Sequence, residues 1–178
     1  SAIIETPGPT PIPQQSARLK ALLSRIRHFD QLPVEIHEPL ARAAYPRHFN
    51  AGQVIYLEGE PAEAIYLLES GWVKATRMSR DGREQAMMFL KTGEIFGDVA
   101  AYTQTIYPGT VVALEAVDVW VIPTEALLKL VAAYPLLALA IIRHLSERVL
   151  YYVHLVEDLS LRSVEARLAN TLLQNAEL

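Results

Sequence analysis

Histidine side chains are the first candidates for metal or acid–base chemistry in this sequence, and their spacing favours neither. The five are His28, His37, His48, His144 and His154. No His-x-His pair occurs and no two stand four residues apart, so no helical chelating pair forms. The pairs His144/Glu147 and His154/Glu157 reverse the Glu-x-x-His order of bundle metal sites, and we interpret them as solvated surface pairs.

Cysteine is absent from the chain, which excludes thiolate zinc sites, Cys nucleophiles, Cys-ligated iron–sulfur clusters and disulfides. The sequence also lacks a Gly-x-Ser-x-Gly elbow, a Walker loop and a dinucleotide fingerprint. The sequence therefore predicts neither a metal site nor enzymatic activity.

A glycine-bounded stretch, Gly93-Glu94-Ile95-Phe96-Gly97-Asp98, carries the strongest chemical signal and is followed by Tyr107-Pro108-Gly109. A segment of this kind after a strand can present backbone N–H groups to an anion. The same pattern also fits an ordinary turn.

The composition is that of a globular protein, because 51% of the 178 residues are hydrophobic and 20% are charged. A net charge of −4 makes the chain a poor binder of nucleic acid. The longest apolar run, residues 131–142, contains Pro135 and is too short to span a bilayer. No secretory signal opens the sequence, so we expect no membrane partner and a cytoplasmic location.

Helical patterns open the chain after a proline-rich start. Prolines alternate at positions 7, 9, 11 and 13, which predicts a flexible tail over residues 1–17. Apolar residues at helical spacing follow, with Ser16 as the expected cap. They are Leu19, Leu22, Leu23, Ile26 and Phe29. A second short helix is predicted over residues 35–44.

Short apolar runs separated by glycines dominate residues 45–123 and predict a β-sandwich or barrel. Asp81-Gly82 lies between two such runs and predicts a hairpin with a type I′ turn.

The C-terminal part is predicted to be helical. Thr124 is the expected cap of a helix that stops at Tyr134, and Pro135 begins a longer one. Seam positions of a two-stranded coiled coil recur along it. They are Leu139, Ile142, Ser146, Val149, Val153 and Val156, and we predict that they form a dimer interface. The alternative is a single buried core helix.

Ser160 is the expected cap of a last helix over residues 161–176, after a joint at 158–160.

Taken together, the motifs at residues 52–55, 58–62, 70–74, 81–84, 93–98 and 107–108, followed by the long helix, closely resemble the Crp/Fnr superfamily of bacterial transcription regulators. The branch that includes nitric-oxide- and redox-responsive regulators is the most similar. The resemblance implies an α+β fold: an antiparallel β-roll, or jelly roll, of the cyclic-nucleotide-binding type with flanking helices over residues 18–134. It further implies a dimerisation helix over 135–159 and the first helix of a DNA-binding domain over 160–178. We therefore expect the sensor and dimerisation region of a homodimeric regulator, with DNA bound only by a helix-turn-helix that this sequence lacks.

The resemblance also implies an effector pocket. Its residues would be Phe96, Gly97, Asp98, Val99, Ala100, Pro108, Gly109, Thr110 and Tyr152. In cyclic-AMP-binding relatives a Gly-Glu pair holds the ribose, and a later Arg-Ser or Arg-Thr pair holds the phosphate. Gly97-Asp98 matches the first pair, but the second falls at Tyr107-Pro108-Gly109, where no Arg occurs. Tyr152 and Val153 fall where a Thr-Ser pair reads the adenine.

The missing Arg predicts weak binding of cyclic AMP. Loss of one partner of a buried charge pair costs roughly 3–5 kcal/mol, or about 10²- to 10³-fold or more in affinity. Four alternatives stay open for the pocket: a less anionic effector, no ligand, haem, or a cyclic nucleotide held by Lys74 or Arg77. Haem would need His144, His154, Met87 or Met88 as its axial ligand. A stand-alone regulatory module, as in kinases and channels, is the remaining alternative for the whole chain.

Overall fold

The computed structural model describes the backbone of residues 12–176 and the side chains of residues 13–160. The chain divides into two compact units, Ser1–Ala138 and Leu139–Leu178. The first unit holds the N-terminal helices and all the described strands, and the second consists of most of one long helix.

Two helices, α1 (Ile12–Leu23) and α2 (Val34–Ala43), precede the sheets. The predicted tail over residues 1–17 is wrong from Ile12 onward, and its first eleven residues lie outside the described part. Pro13 stands in the first turn of α1, where a missing N–H costs no hydrogen bond. Ser16 therefore lies inside the helix and is not its cap. The helix ends at Leu23, yet Ile26 and Phe29 remain buried in the turns that follow.

Eight strands and one short helix make up the centre of the first unit. They are β1 (Tyr45–Phe49), β2 (Val54–Tyr56), β3 (Ala64–Ser70), β4 (Trp72–Met78), β5 (Glu84–Lys91), β6 (Ile95–Phe96), α3 (Asp98–Tyr102), β7 (Thr110–Ala113) and β8 (Val117–Pro123). One sheet has the order β1-β8-β3-β6 and the other β2-β7-β4-β5, and every described pairing is antiparallel. This arrangement confirms the predicted α+β class and the antiparallel β-roll.

Strand β3 is buried on both of its faces. Leu67 and Leu68 are neighbours, so their side chains point to opposite sides of the sheet, and both are almost fully buried. On one side α1 contributes to the cover, because the Arg18 guanidinium lies 5.5 Å from the centre of the Trp120 ring. The same guanidinium donates a hydrogen bond of 2.6 Å to Glu69. Helix α1 thus lies against the sheet that contains β6, in the 93–98 segment.

The hairpin between β4 and β5 forms as predicted, but its turn differs. Gly82 has a φ of 74°, whereas Asp81 is not among the non-glycine residues with positive φ. The Gly82 N–H donates to the carbonyl of Ser79, and the Ser79 N–H donates to the carbonyl of Arg83. A type I′ turn needs positive φ at both central residues, so that prediction is wrong.

Helix α4 (Thr124–Ala133) ends before Tyr134-Pro135, as the proline predicts. Thr124 does not cap it: Pro123 is the N-cap residue, and the Thr124 hydroxyl donates to the carbonyl of Ala62 at 2.8 Å. Helix α5 runs without a break over Pro135–Ala176. The predicted joint at residues 158–160 and the Ser160 cap are therefore wrong. No Gly or Pro follows Pro135 in this helix, so nothing in the sequence interrupts its hydrogen bonds.

Within the described residues, none of the helices is by itself long and apolar enough to cross a membrane; α4 and α5 meet that test only when taken as a bent pair.

Candidate effector site

The first half of the predicted pocket forms the bend from β6 into α3. Gly97 adopts a left-handed conformation with a φ of 75°, and Asp98 begins α3 with only 3% of its surface exposed. Phe96 and Ala100 are buried, while Val99 is exposed. A Cβ atom added to Gly97 would lie 3.2 Å from the Tyr107 ring. A side chain at this position would crowd that ring, so the bend requires glycine for space and for conformation.

The second half of the predicted pocket has no room for the Ser or Thr that follows the Arg in cyclic-AMP-binding relatives. Pro108 is exposed and Gly109 is buried. A Cβ atom on Gly109 would lie 2.6 Å from the carbonyl oxygen of Thr76 on β4, so a Ser or Thr there requires the backbone to shift. The Thr110 hydroxyl accepts a hydrogen bond of 3.0 Å from the N–H of Glu58.

The two basic residues proposed as substitutes for the missing Arg are both paired with acids. Lys74 Nζ lies 3.0 Å from Glu84 Oε1, and Arg77 Nε lies 3.6 Å from Glu58 Oε1. Glu58 is held in addition by the Met78 N–H, which donates to Oε2 at 3.0 Å. A phosphate would have to compete with a carboxylate for either cation.

Four aromatic side chains pack together beside this segment, and the sequence analysis did not identify them as a group. We call Tyr56, Tyr66, Phe96 and Tyr107 the aromatic cluster. The rings of Tyr56 and Tyr107 stack with centroids 3.8 Å apart, and those of Tyr66 and Phe96 stack at 5.2 Å. Tyr66 and Phe96 face each other across β3 and β6. The sequence offered little to identify this cluster, because each tyrosine simply lies within or beside an apolar run.

Burial controls the acid–base behaviour of the cluster. It raises the pKa of the Tyr56, Tyr66 and Tyr107 hydroxyls above the ordinary range of tyrosine. The charge of Asp98 contributes to the raised pKa of Tyr56. The carboxylate that was predicted to hold a ribose therefore acts on the aromatic cluster.

One cavity adjoins the cluster, and a second shares Pro61, Glu63 and Pro123 with its lining. The smaller, of about 350 Å³, reaches Tyr56, Tyr66 and Tyr107. The larger, of about 720 Å³, is an open groove beside α4. Neither is lined by residues 96–100 or 108–110.

The remaining predicted residues lie on α5 in the second unit. Tyr152 is 43% exposed, and its place in an effector pocket stays a prediction. Leu139, Ile142, Ser146, Val149, Val153 and Val156 are all exposed or partly exposed, and so are Leu150, Tyr151, Leu155 and Leu159 on other faces. The apolar residues of the described part of α5 are therefore not confined to the predicted seam.

Haem ligands were predicted at positions that lie in different units. Met87 and Met88 lie on β5, and His144 and His154 lie on α5. The described residues contain no group of three or more His, Asp or Glu side chains placed to hold a metal ion. The haem alternative stays a prediction.

Comparison with known proteins identifies one family, and transcriptional regulators are among the relatives. Residues 46–134 match the family model described as the cyclic nucleotide-binding domain. The global nitrogen regulator of Synechococcus elongatus is 29% identical over 163 residues, which cover 88% of this chain and 68% of the relative. A CRP-like cAMP-activated global transcriptional regulator of Mycobacterium tuberculosis is 27% identical, with 88% of this chain and 70% of the relative covered.

Solved structures agree with these relatives. The sensor domain of the transcriptional regulator DNR from Pseudomonas aeruginosa matches with a TM-score of 0.66 and 25% identity, covering 75% of this chain and 89% of that one. The Thermus thermophilus catabolite activator protein matches with a TM-score of 0.65 and 26% identity, covering 75% of this chain but 62% of its own.

Proposed function

Because the chain belongs to the cyclic nucleotide-binding domain family, we propose that it is the effector-sensing and dimerisation region of a Crp/Fnr-type transcriptional regulator. Its homologues are regulators of this type, in which this domain is the sensor region. We further propose that it does not bind cyclic AMP in the manner of the cyclic-AMP-binding relatives.

The observation that carries the second proposal is the contact between Gly109 and Thr76. The backbone of β4 occupies the space that a Ser or Thr side chain would need at position 109. The position before it holds an exposed proline, which supplies no cation. No Lys or Arg occurs over residues 92–128, so a cyclic phosphate bound there would be desolvated without a charge partner.

The competing function is a true cyclic-nucleotide sensor that recruits Lys74 or Arg77. It is favoured by the relative from Mycobacterium tuberculosis, whose name describes it as cAMP-activated. It requires Lys74 or Arg77 to leave its carboxylate partner, which makes binding weaker than in a site built around an unpaired Arg. Calorimetric titration of the chain with cyclic AMP separates the two functions: we expect no binding up to about 1 mM, and micromolar binding supports the competitor.

We propose dimerisation through α5, because apolar residues on its predicted seam are exposed. Val149, Val153 and Val156 follow coiled-coil spacing and are 60%, 45% and 62% exposed. Burial against a second copy of α5 would remove this apolar surface from water.

We also propose that the chain is not an enzyme and that it works in the cytoplasm, as its regulator homologues suggest. We infer that the regulator contacts DNA through a helix-turn-helix, and that the described residues do not form this motif.

A further inference from the structure

We propose that Met87 is an oxidation site, at which a peroxide converts the thioether to a sulfoxide and thereby loosens the loop before β7 from β4. The sequence contains no cysteine, so methionine is its side chain most open to two-electron oxidants. All three of its methionines, Met78, Met87 and Met88, lie on the hairpin of β4 and β5. The proposal does not depend on which ligand the predicted effector pocket binds.

Solvent reaches two of the three methionines freely. Met78 and Met87 are 57% and 49% exposed, whereas Met88 is only partly exposed. In the reaction, a sulfur lone pair attacks one oxygen of hydrogen peroxide, the O–O bond breaks and an S–O bond forms. The other oxygen leaves as hydroxide and takes up the proton to become water. The sulfur loses two electrons and the peroxide gains them, so no further reactant is needed.

A β-bulge places the Met87 sulfur against the loop before β7. Strand β5 is the edge strand of its sheet, and its register with β4 shifts between Ala75 and Thr76. Met87 is the extra residue on β5 at this shift, and a bulge of this kind re-aims the side chain. A Cβ atom added to Gly109 would lie 3.4 Å from the Met87 sulfur, which is an ordinary van der Waals distance. The thioether therefore packs on Gly109.

The loop and β4 are in close contact at the same point. The carbonyl oxygen of Thr76 would lie 2.6 Å from the added Cβ atom of Gly109, and Thr76 pairs with Thr110 at the end of the β4–β7 ladder. A sulfoxide turns the apolar Met87 side chain into a polar one that favours water over this packed position. The contact with Gly109 is then lost, and the end of the ladder opens more often.

The test treats the full 178-residue chain with hydrogen peroxide. Mass spectrometry of peptides locates the sulfoxides, and hydrogen exchange of the amides of residues 109–111 reports the loop. We expect Met87 to oxidise at least about threefold faster than Met88. We also expect the exchange of residues 109–111 to become at least about threefold faster after oxidation. Reduction by methionine sulfoxide reductases should reverse the change.

Two leucine variants assign the effect to one sulfur, because leucine has a similar volume and forms no sulfoxide. M78L keeps Met87, and peroxide should still accelerate the exchange of residues 109–111. M87L should abolish that acceleration, with each variant compared with its own untreated sample. Oxidation of Met87 no faster than Met88, unchanged exchange in the oxidised wild type, or the same acceleration in M87L would each overturn the proposal.

Discussion

The Tyr107 hydroxyl makes two hydrogen bonds to the backbone of a single residue, Ala64. It donates to the carbonyl oxygen at 2.7 Å and accepts from the N–H at 3.2 Å. The backbone of Tyr107 is also held, because its N–H donates to Glu60 and its carbonyl accepts from Gly59, both at 2.9 Å. Tyr107 therefore fastens the loop before β7 to the start of β3.

Replacing Tyr107 by Phe removes both hydroxyl contacts and leaves the Ala64 backbone groups without that partner. We expect the free energy of unfolding to fall by about 1–3 kcal/mol, measured by urea denaturation. The matched control is Y45F. It makes the same change at an exposed tyrosine, and it should change the free energy of unfolding by less than about 0.5 kcal/mol. Equal effects of the two variants would show that the Ala64 contacts contribute little.

Gly109 is expected to tolerate no side chain. The added methyl group of G109A meets the Thr76 carbonyl at 2.6 Å, and we expect a loss of about 1–3 kcal/mol in the same assay. P108A, at the exposed neighbouring position, should cost less than about 1 kcal/mol. A G109A variant as stable as the wild type would mean that the loop can move away from β4, which would reopen the predicted pocket.

Strong local patterns made several elements predictable. The apolar runs that became β3, β4 and β8 and the stop at Tyr134-Pro135 follow from side-chain pattern and proline geometry alone. Strand β1 lies within the predicted β region but has no apolar run of its own, because it is an edge strand with Pro46 and a single buried residue, Phe49. Strands β6 and β7 are only two and four residues long, too short for a periodic signal.

The site was less predictable than the fold. Gly97 and Asp98 could be recognised from motif similarity, but the contact of Gly109 with Thr76 depends on how two strands pack. The aromatic cluster joins residues from β2, β3, β6 and a loop, so no local sequence pattern predicts it. The sequence also predicted a break before Ser160, because serine is common at helix N-caps. The helix continues through Ser160, because no Gly or Pro interrupts α5 there.

The α5 seam is expected to hold a dimer together. V149E places a charge on the predicted seam, and sedimentation equilibrium should show a shift toward monomer, with a dimer dissociation constant raised by at least about tenfold. Y151E adds the same charge at an exposed apolar residue off the seam and should leave the dimer intact. If Y151E dissociates the dimer and V149E does not, the interface lies on another face of α5.

A pH effect on stability is expected from the contact between β1 and β8. His48 Nδ1 lies 2.8 Å from Asp118 Oδ1, and this hydrogen bond raises the pKa of His48 above 6.5. The contribution is therefore fully present below pH 6.5 and is lost as the pH rises through the folded-state pKa. Both side chains are about half exposed, so it amounts to less than about 1 kcal/mol.

Urea denaturation of the wild type and H48Q between about pH 6 and pH 8 measures this contribution. The advantage of the wild type should shrink as the pH rises. Burial lowers the pKa of His37, which gives a slope of the opposite sign, but His37 is present in both proteins and cancels in the difference. A constant difference across this range would exclude a role for the His48–Asp118 pair.

Restoring one cation should partly restore nucleotide affinity. P108R places a guanidinium where cyclic-AMP-binding relatives carry their Arg, and we expect cyclic AMP binding to strengthen by at least about tenfold over the wild type. L114R adds the same charge at an exposed position just after β7, at the opposite end of the strand from Pro108, and should have no such effect. Equal gains in both variants would reflect general attraction of the nucleotide.

The most direct measurement is calorimetric titration of the unmodified chain with cyclic AMP. The contact of Gly109 with Thr76 and the pairing of Lys74 and Arg77 predict no heat of binding up to about 1 mM, an interaction weaker than roughly 4 kcal/mol. Saturable binding at micromolar concentration would contradict this account and identify the chain as a cyclic-nucleotide sensor.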